Sequence, residues 1–231
     1  MIFLHQARLV ILSQPKTGTT ALDKALGSRA AIAVSNPPQL KHMQYHKFMK
    51  FVAPWIEAQA GLARADYEVV SVMREPVDWL GSWYRYRSRD ALRDAGRKKQ
   101  RNYTGNVSFE EFVREAFKPK PERKAFAHVG SPCGVALDGD GSIGCDRIFP
   151  YEDLSGLYEL IEERTKRPLE LAQLNVSPEG DMTLSDDIRE KLRATWSFAF
   201  DLHSSLNRDG SIAPRFKLAD DSAADDDAVV A

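Results

Sequence analysis

The stretch from Arg8 to Thr20 constrains this chain more than any other. Leu9 to Ser13 is a continuous apolar run of strand length, the pattern of a parallel strand buried on both faces. Gln14 to Gly18 holds a proline and a glycine, which mark a tight turn. Thr20 to Ser28 then reads as a helix crossing back over the sheet. A strand that turns tightly into a helix aims unpaired backbone N–H groups and the positive helix end at one point. That point is an anion site. Lys16 adds a full positive charge, Thr17, Thr19 and Thr20 add hydroxyls, and Gly18 permits close approach or an unusual φ. The lysine precedes the only glycine of the turn, so this is not a Walker A loop, in which Gly-Lys-Ser/Thr closes the turn.

The totals bound the rest. A chain of 231 residues with 43% hydrophobic residues suits one α/β domain with a substantial core. We place that domain at residues 1–217, with 85–130 as a basic insertion, and read 218–231 as a disordered acidic tail. A net charge of -1 gives no overall field for nucleic acid. No run is long and apolar enough to span a bilayer, and residues 1–8 lack the features of a signal peptide. The expected location is the cytoplasm. The two cysteines, Cys133 and Cys145, cannot assemble a zinc site, and no metal is expected. The Asp-Gly-rich stretch between them reads as a hairpin.

Further strands are expected at Ala31–Ser35, Tyr67–Met73 and in the region Asp146–Phe149. The third of the expected strands, Tyr67–Met73, runs into Arg74-Glu75-Pro76-Val77-Asp78, with Pro76 suited to the first turn of a helix and Ser82 about two turns further on. Ligands of open parallel sheets bind outside the carboxyl ends of strands. Lys16 and Arg74 would therefore share one rim, which suggests a ligand with more than one anionic group. For Arg74 the plainer reading is a salt bridge with Glu75 or Asp78.

Together these residues resemble the sulfotransferases that use 3′-phosphoadenosine 5′-phosphosulfate (PAPS). Pro15-Lys16-Thr17-Gly18-Thr19-Thr20 is similar to the family's 5′-phosphosulfate loop. The strand Val69–Met73, Arg74-x-Pro-x-Asp and Ser82, eight positions beyond the arginine, are similar to its 3′-phosphate element. The close likeness covers about the first 85 residues, with a fainter match at Asn175-Val176-Ser177-Pro178. It implies a P-loop-like, three-layer α/β fold with a central parallel sheet flanked by helices. It also implies PAPS as donor, 3′-phosphoadenosine 5′-phosphate (PAP) as product, and no metal. Pro15, Lys16, Thr17, Gly18, Thr19, Thr20, Arg74 and Ser82 would bind the nucleotide, with Lys16 also catalytic. His42-Met43-Gln44-Tyr45-His46 resembles the base-bearing segment of the uronosyl 2-O-sulfotransferase branch, in a soluble, bacterial-type form. His42 is the expected base and His46 the reserve, while many glycan branches use a carboxylate instead.

The acceptor would be a hydroxyl compound, either an anionic glycan or a small molecule. Arg85, Arg87, Arg89, Arg93, Arg97, Lys98, Lys99 and Arg101 crowd one stretch, readable as a solvated helix face or as a funnel for anions. The competing function class is a P-loop-like nucleotide kinase or a nucleotide-binding protein without catalysis. A kinase would need a metal-binding acid at a strand end and a standard phosphate loop.

Overall fold

The computed structural model describes residues 1–94, 96, 100–171 and 180–217. Arg97, Lys98, Lys99, the segment Asn175–Pro178 and the acidic tail lie outside the described residues. Five strands, β1 (Ile2–Leu4), β2 (Leu9–Leu12), β3 (Ile32–Ala33), β4 (Glu68–Met73) and β5 (Arg147–Pro150), form one sheet in the order β3-β1-β2-β4-β5. Strands β2, β4 and β5 are parallel to one another, while β1 is antiparallel to both β2 and β3. The expectation of a wholly parallel sheet is therefore corrected: the sheet is mixed, and β1 alone runs against the others. The first strand is only three residues long, and the turn after it contains neither glycine nor proline. Arg8 closes that turn at φ 52°, a conformation whose usual sequence marker is glycine.

Side chains alternate across the sheet, as the pleat requires. Leu9, Ile11, Val70, Val72 and Phe149 face α1 (Thr19–Leu26) and α8 (Ser155–Thr165), packing on Leu22, Leu26, Leu157 and Ile161. Val10, Leu12, Val69 and Met73 face the other way, in a cluster with Phe48, Ile56 and Leu202. Those come from α3 (Tyr45–Phe51), α4 (Ala53–Ala60) and α10 (Ser197–Ser204). The sheet is thus covered on both sides. A satellite core joins α5 (Pro76–Arg87), α7 (Phe109–Ala116) and α9 (Asp186–Thr195) through Trp79, Phe112 and Leu192. Two short helices, α2 (Pro38–Lys41) and α6 (Asp90–Arg93), precede α3 and follow α5, respectively.

The start of α5 follows from local chemistry. Glu75 accepts the Asp78 N–H at 2.8 Å as a cap, and Pro76 occupies the first turn, where no N–H is needed. The region between the cysteines holds a single bridge, Leu137 to Ile143, in place of a full hairpin. Both thiols are free and buried. Ser185, ahead of α9, donates its hydroxyl to Glu110 at 2.8 Å and does not cap its own helix.

Candidate functional site

Strands β2 and β4 end side by side, with Leu12 in register with Ser71. The chain leaves β2 toward β3 on one side and leaves β4 toward β5 on the other. In open α/β sheets, ligands bind beyond the strand ends where the chain diverges in this way. Lys16 follows β2 and Arg74 follows β4, so both sit at this rim.

The loop after β2 has its carbonyls pulled outward. Thr17 Oγ1 donates to the Gln14 carbonyl at 2.8 Å, Trp79 Nε1 to Pro15 at 2.9 Å, and Arg74 Nη1 to Lys16 at 3.3 Å. Three successive carbonyls are thus held by side-chain donors. Lys16 (φ 69°) and Gly18 (φ 72°) lie in the left-handed region. For a lysine that conformation costs on the order of 1–3 kcal/mol and is typical of ligand clamps. Among the described residues, no carbonyl outside the helix receives the N–H of Gly18, Thr19 or Thr20 at the start of α1. With the carbonyls turned away, these donors suit an anion. Thr17 is buried and its hydroxyl is spent inside the loop; Thr19 is half-buried and Thr20 exposed.

Arg74 is fixed on two edges. Its Nε pairs with Asp78 Oδ2 at 2.5 Å, its Nη1 holds the Lys16 carbonyl, and its guanidinium lies 4.4 Å from the Tyr151 ring. Arg74 is salt-bridged to Asp78, as the plainer reading expects, and it also bonds the loop of Lys16. Ser82 lies two turns along α5 and is buried.

The ammonium of Lys16 rests 4.1 Å from the Tyr86 ring centroid and 5.7 Å from that of Trp83. Arg87 lies over Trp83 at 4.9 Å and Arg89 over Tyr86 at 5.1 Å. Cations and rings alternate along the end of α5, an arrangement that tolerates like charges because ring faces carry negative potential. Burial, then Arg89, Arg74, Arg85 and Arg87, lowers the Lys16 pKa from 10.5 to about 8. Asp78, bonded to Arg74 and 3.9 Å from Arg85, pairs with two of these cations. The cluster is electropositive and electrostatically costly without an anion. Nothing in the sequence marked Trp79, Trp83, Tyr86, Gln14 or Tyr151 for this site.

His42 ends α2 beside the same rim. Its Nδ1 donates to the Ser13 carbonyl at 2.7 Å, which leaves Nε2 as the basic nitrogen of the neutral ring. Burial lowers its pKa, partly offset by the Ser13 bond, so the ring is neutral near pH 7. Neighbouring Lys41 is engaged by Asp23 at 2.6 Å. His46 stands one turn further, on α3, with Nδ1 buried and no hydrogen-bond partner among the described residues. The structure ties His42 to the strand leading to Lys16 and shows no such link for His46.

The basic stretch divides. Arg85, Arg87 and Arg89 act on Lys16. Arg93 pairs with Asp90 and Asp94, Arg114 with Glu110, and Lys118 and Lys124 with Glu115. For Arg93, the one of these four in that stretch, the solvated-face reading holds. Among the described residues, no group of three or more His, Cys, Asp or Glu is placed to hold a metal, and no helix is long and apolar enough to cross a membrane. No family model, curated protein or solved structure matches the chain.

Proposed function

We propose that this chain is a sulfotransferase of P-loop-like, three-layer architecture that moves a sulfuryl group from PAPS to a hydroxyl acceptor. The observation that carries the reading is the bond from Arg74 Nη1 to the Lys16 carbonyl. One guanidinium organises the turn that bears the other cation, as a ligand anionic at both ends requires. The residues suit such a ligand: the N–H groups of Gly18, Thr19 and Thr20 and the two threonine hydroxyls would hold the 5′-phosphate. Arg74, through its remaining edge, and Ser82 would hold the 3′-phosphate.

When bound, PAPS supplies an activated sulfuryl group and a phosphate leaving group. The Lys16 ammonium would neutralise charge on the leaving side, and a preorganised cation there needs no reorganisation during reaction. His42 would take the acceptor's proton at Nε2, with Ser13 holding its tautomer. The acceptor hydroxyl belongs to a carbohydrate or a small molecule. The test compares thermal stabilisation by PAP and by adenosine diphosphate. A shift for PAP several degrees larger is expected; equal shifts would overturn the reading and favour a nucleotide kinase or a non-catalytic nucleotide binder.

A further inference from the structure

Three site-bearing segments meet on one loop, Ser131–Ala136, and on the residues just before it. Gln14, adjacent to the strand end that leads to Lys16, is 2% exposed. Its Nε2 donates to the Ser131 carbonyl at 2.9 Å, and its Oε1 accepts from the Val135 N–H at 3.1 Å. Both ends of one buried amide are spent on the same loop. The loop's own carbonyls hold the segment that follows His42: Val135 accepts from the Tyr45 N–H at 2.8 Å, and Gly134 from Gln44 Nε2 at 3.4 Å. Immediately upstream, Arg87 of α5 donates to the Phe126 carbonyl at 2.5 Å and to His128 at 2.8 Å. Within the loop the Ser131 hydroxyl lies against Cys133 at 3.4 Å, and burial raises the Cys133 pKa and keeps its thiol neutral.

We infer that Gln14 is a positioning residue: its amide fixes the anion loop against Ser131–Ala136, and through that loop against the segment carrying His42. The roles of Lys16 and His42 in this inference rest on the sulfotransferase reading. The geometry of the brace does not. A buried amide with both ends bonded is hard to replace. Leucine fills the space but leaves the Ser131 carbonyl and the Val135 N–H unpaired. Glutamate keeps the acceptor for Val135 but opposes the Ser131 carbonyl with a second oxygen unless it is protonated. Burial raises a carboxyl pKa, so protonation and repair come on mild acidification.

The test uses Gln14→Leu and Gln14→Glu in the full chain. It measures PAP affinity relative to wild type by calorimetry at about pH 8.5 and about pH 5.5, chosen to bracket the titration of a buried carboxyl. It also measures the His42 ring signal by NMR without ligand. Gln14→Leu is expected to weaken PAP about tenfold at both pH values, the loss of one buried hydrogen bond or slightly more. Gln14→Glu is expected to match that loss at the higher pH and to approach the wild-type value at the lower. The His42 signal should move in both variants and return in Gln14→Glu on acidification. Wild-type affinity at high pH with an unmoved His42 signal, or no recovery of Gln14→Glu in acid, overturns the inference. If Gln14→Leu does not fold, the pH pair of Gln14→Glu decides alone. If wild type does not prefer PAP over adenosine diphosphate, the sulfotransferase reading fails, and the His42 signal still decides the brace.

Discussion

Replacing Lys16 with methionine should stabilise the ligand-free protein and, on the proposed function, abolish nucleotide binding. Lys16 titrates at about 8 in the fold against 10.5 in the unfolded chain. The gap between those values, at about 1.4 kcal/mol per pH unit, makes the buried ammonium cost about 3 kcal/mol at neutral pH. Contact with Tyr86 and Trp83 returns part of this, about 1–2 kcal/mol for a desolvated cation over rings. Methionine keeps the length and apolar contact of the stem and carries the same backbone penalty at φ 69°. The net gain is about 1–2 kcal/mol, or about 2 to 8 °C for a domain of this size. The sign against pH is specific. Between pH 8 and 10.5 the unfolded chain holds more protons than the fold, so wild type gains stability as pH rises. The variant's advantage is full below pH 8 and shrinks toward zero near 10.5. Urea denaturation from pH 7, on the plateau, to about 9.5, inside the window, reads it directly. A variant less stable than wild type at pH 7, or an advantage that does not narrow with rising pH, would refute the reasoning.

Four further outcomes are expected from the structure. Arg74→Lys cannot hold the Lys16 carbonyl and Asp78 together, so PAP affinity should fall about 10- to 100-fold by calorimetry, with adenosine diphosphate less affected. Sulfuryl transfer should hold as pH falls from 7 to 6.5 and decline below that as His42 protonates, because its pKa lies under 6.5; His42→Gln should remove that acid limb and leave PAP affinity unchanged. Gly27→Ala should stabilise by about 0.5–1 kcal/mol, since its φ is helical and its Cβ meets no atom. Gly156→Ala should destabilise by about 2 kcal/mol or more, because its Cβ would strike the Arg208 backbone carbonyl.

Periodicity and punctuation made β2, β4 and β5 legible. β2 and β4 are runs of mostly buried, largely β-branched or aliphatic residues, β5 buries only Ile148 and Phe149 at its centre, and each falls within a residue or two of its expected place. Strand β1 was not legible, because three apolar residues carry no period and Arg8 takes a backbone shape normally announced by glycine. Missing it also concealed the mixed character of the sheet. At the site, Lys16 and Arg74 were readable because strand ends fix where charge can sit. What aims them was not readable. Trp79, Gln14 and Tyr151 act through contacts made in space, and a tryptophan that bonds a carbonyl reads in sequence as one that only packs.

That difference bears on what selects the ligand. Five cations, Lys16, Arg74, Arg85, Arg87 and Arg89, would attract any polyanion, and charge alone discriminates poorly. Arg87 is buried and bonded to backbone carbonyls, so it contributes field without offering a free edge. Arg74 has Nε on Asp78 and Nη1 on the Lys16 carbonyl, which leaves one nitrogen for a ligand at one angle. Asp78 thus lowers the total charge while raising the directional content of what is left. A site built in this way gives up some raw affinity for a geometric test. An anion placed correctly at the loop but lacking a second anionic group in line with Arg74 collects the field and misses the bond. Among anions of equal charge, added salt should therefore weaken binding by a similar factor, because screening acts on the field, while the proposed preference for the ligand with a second phosphate in line with Arg74 persists, because it rests on the direction of one short-range hydrogen bond.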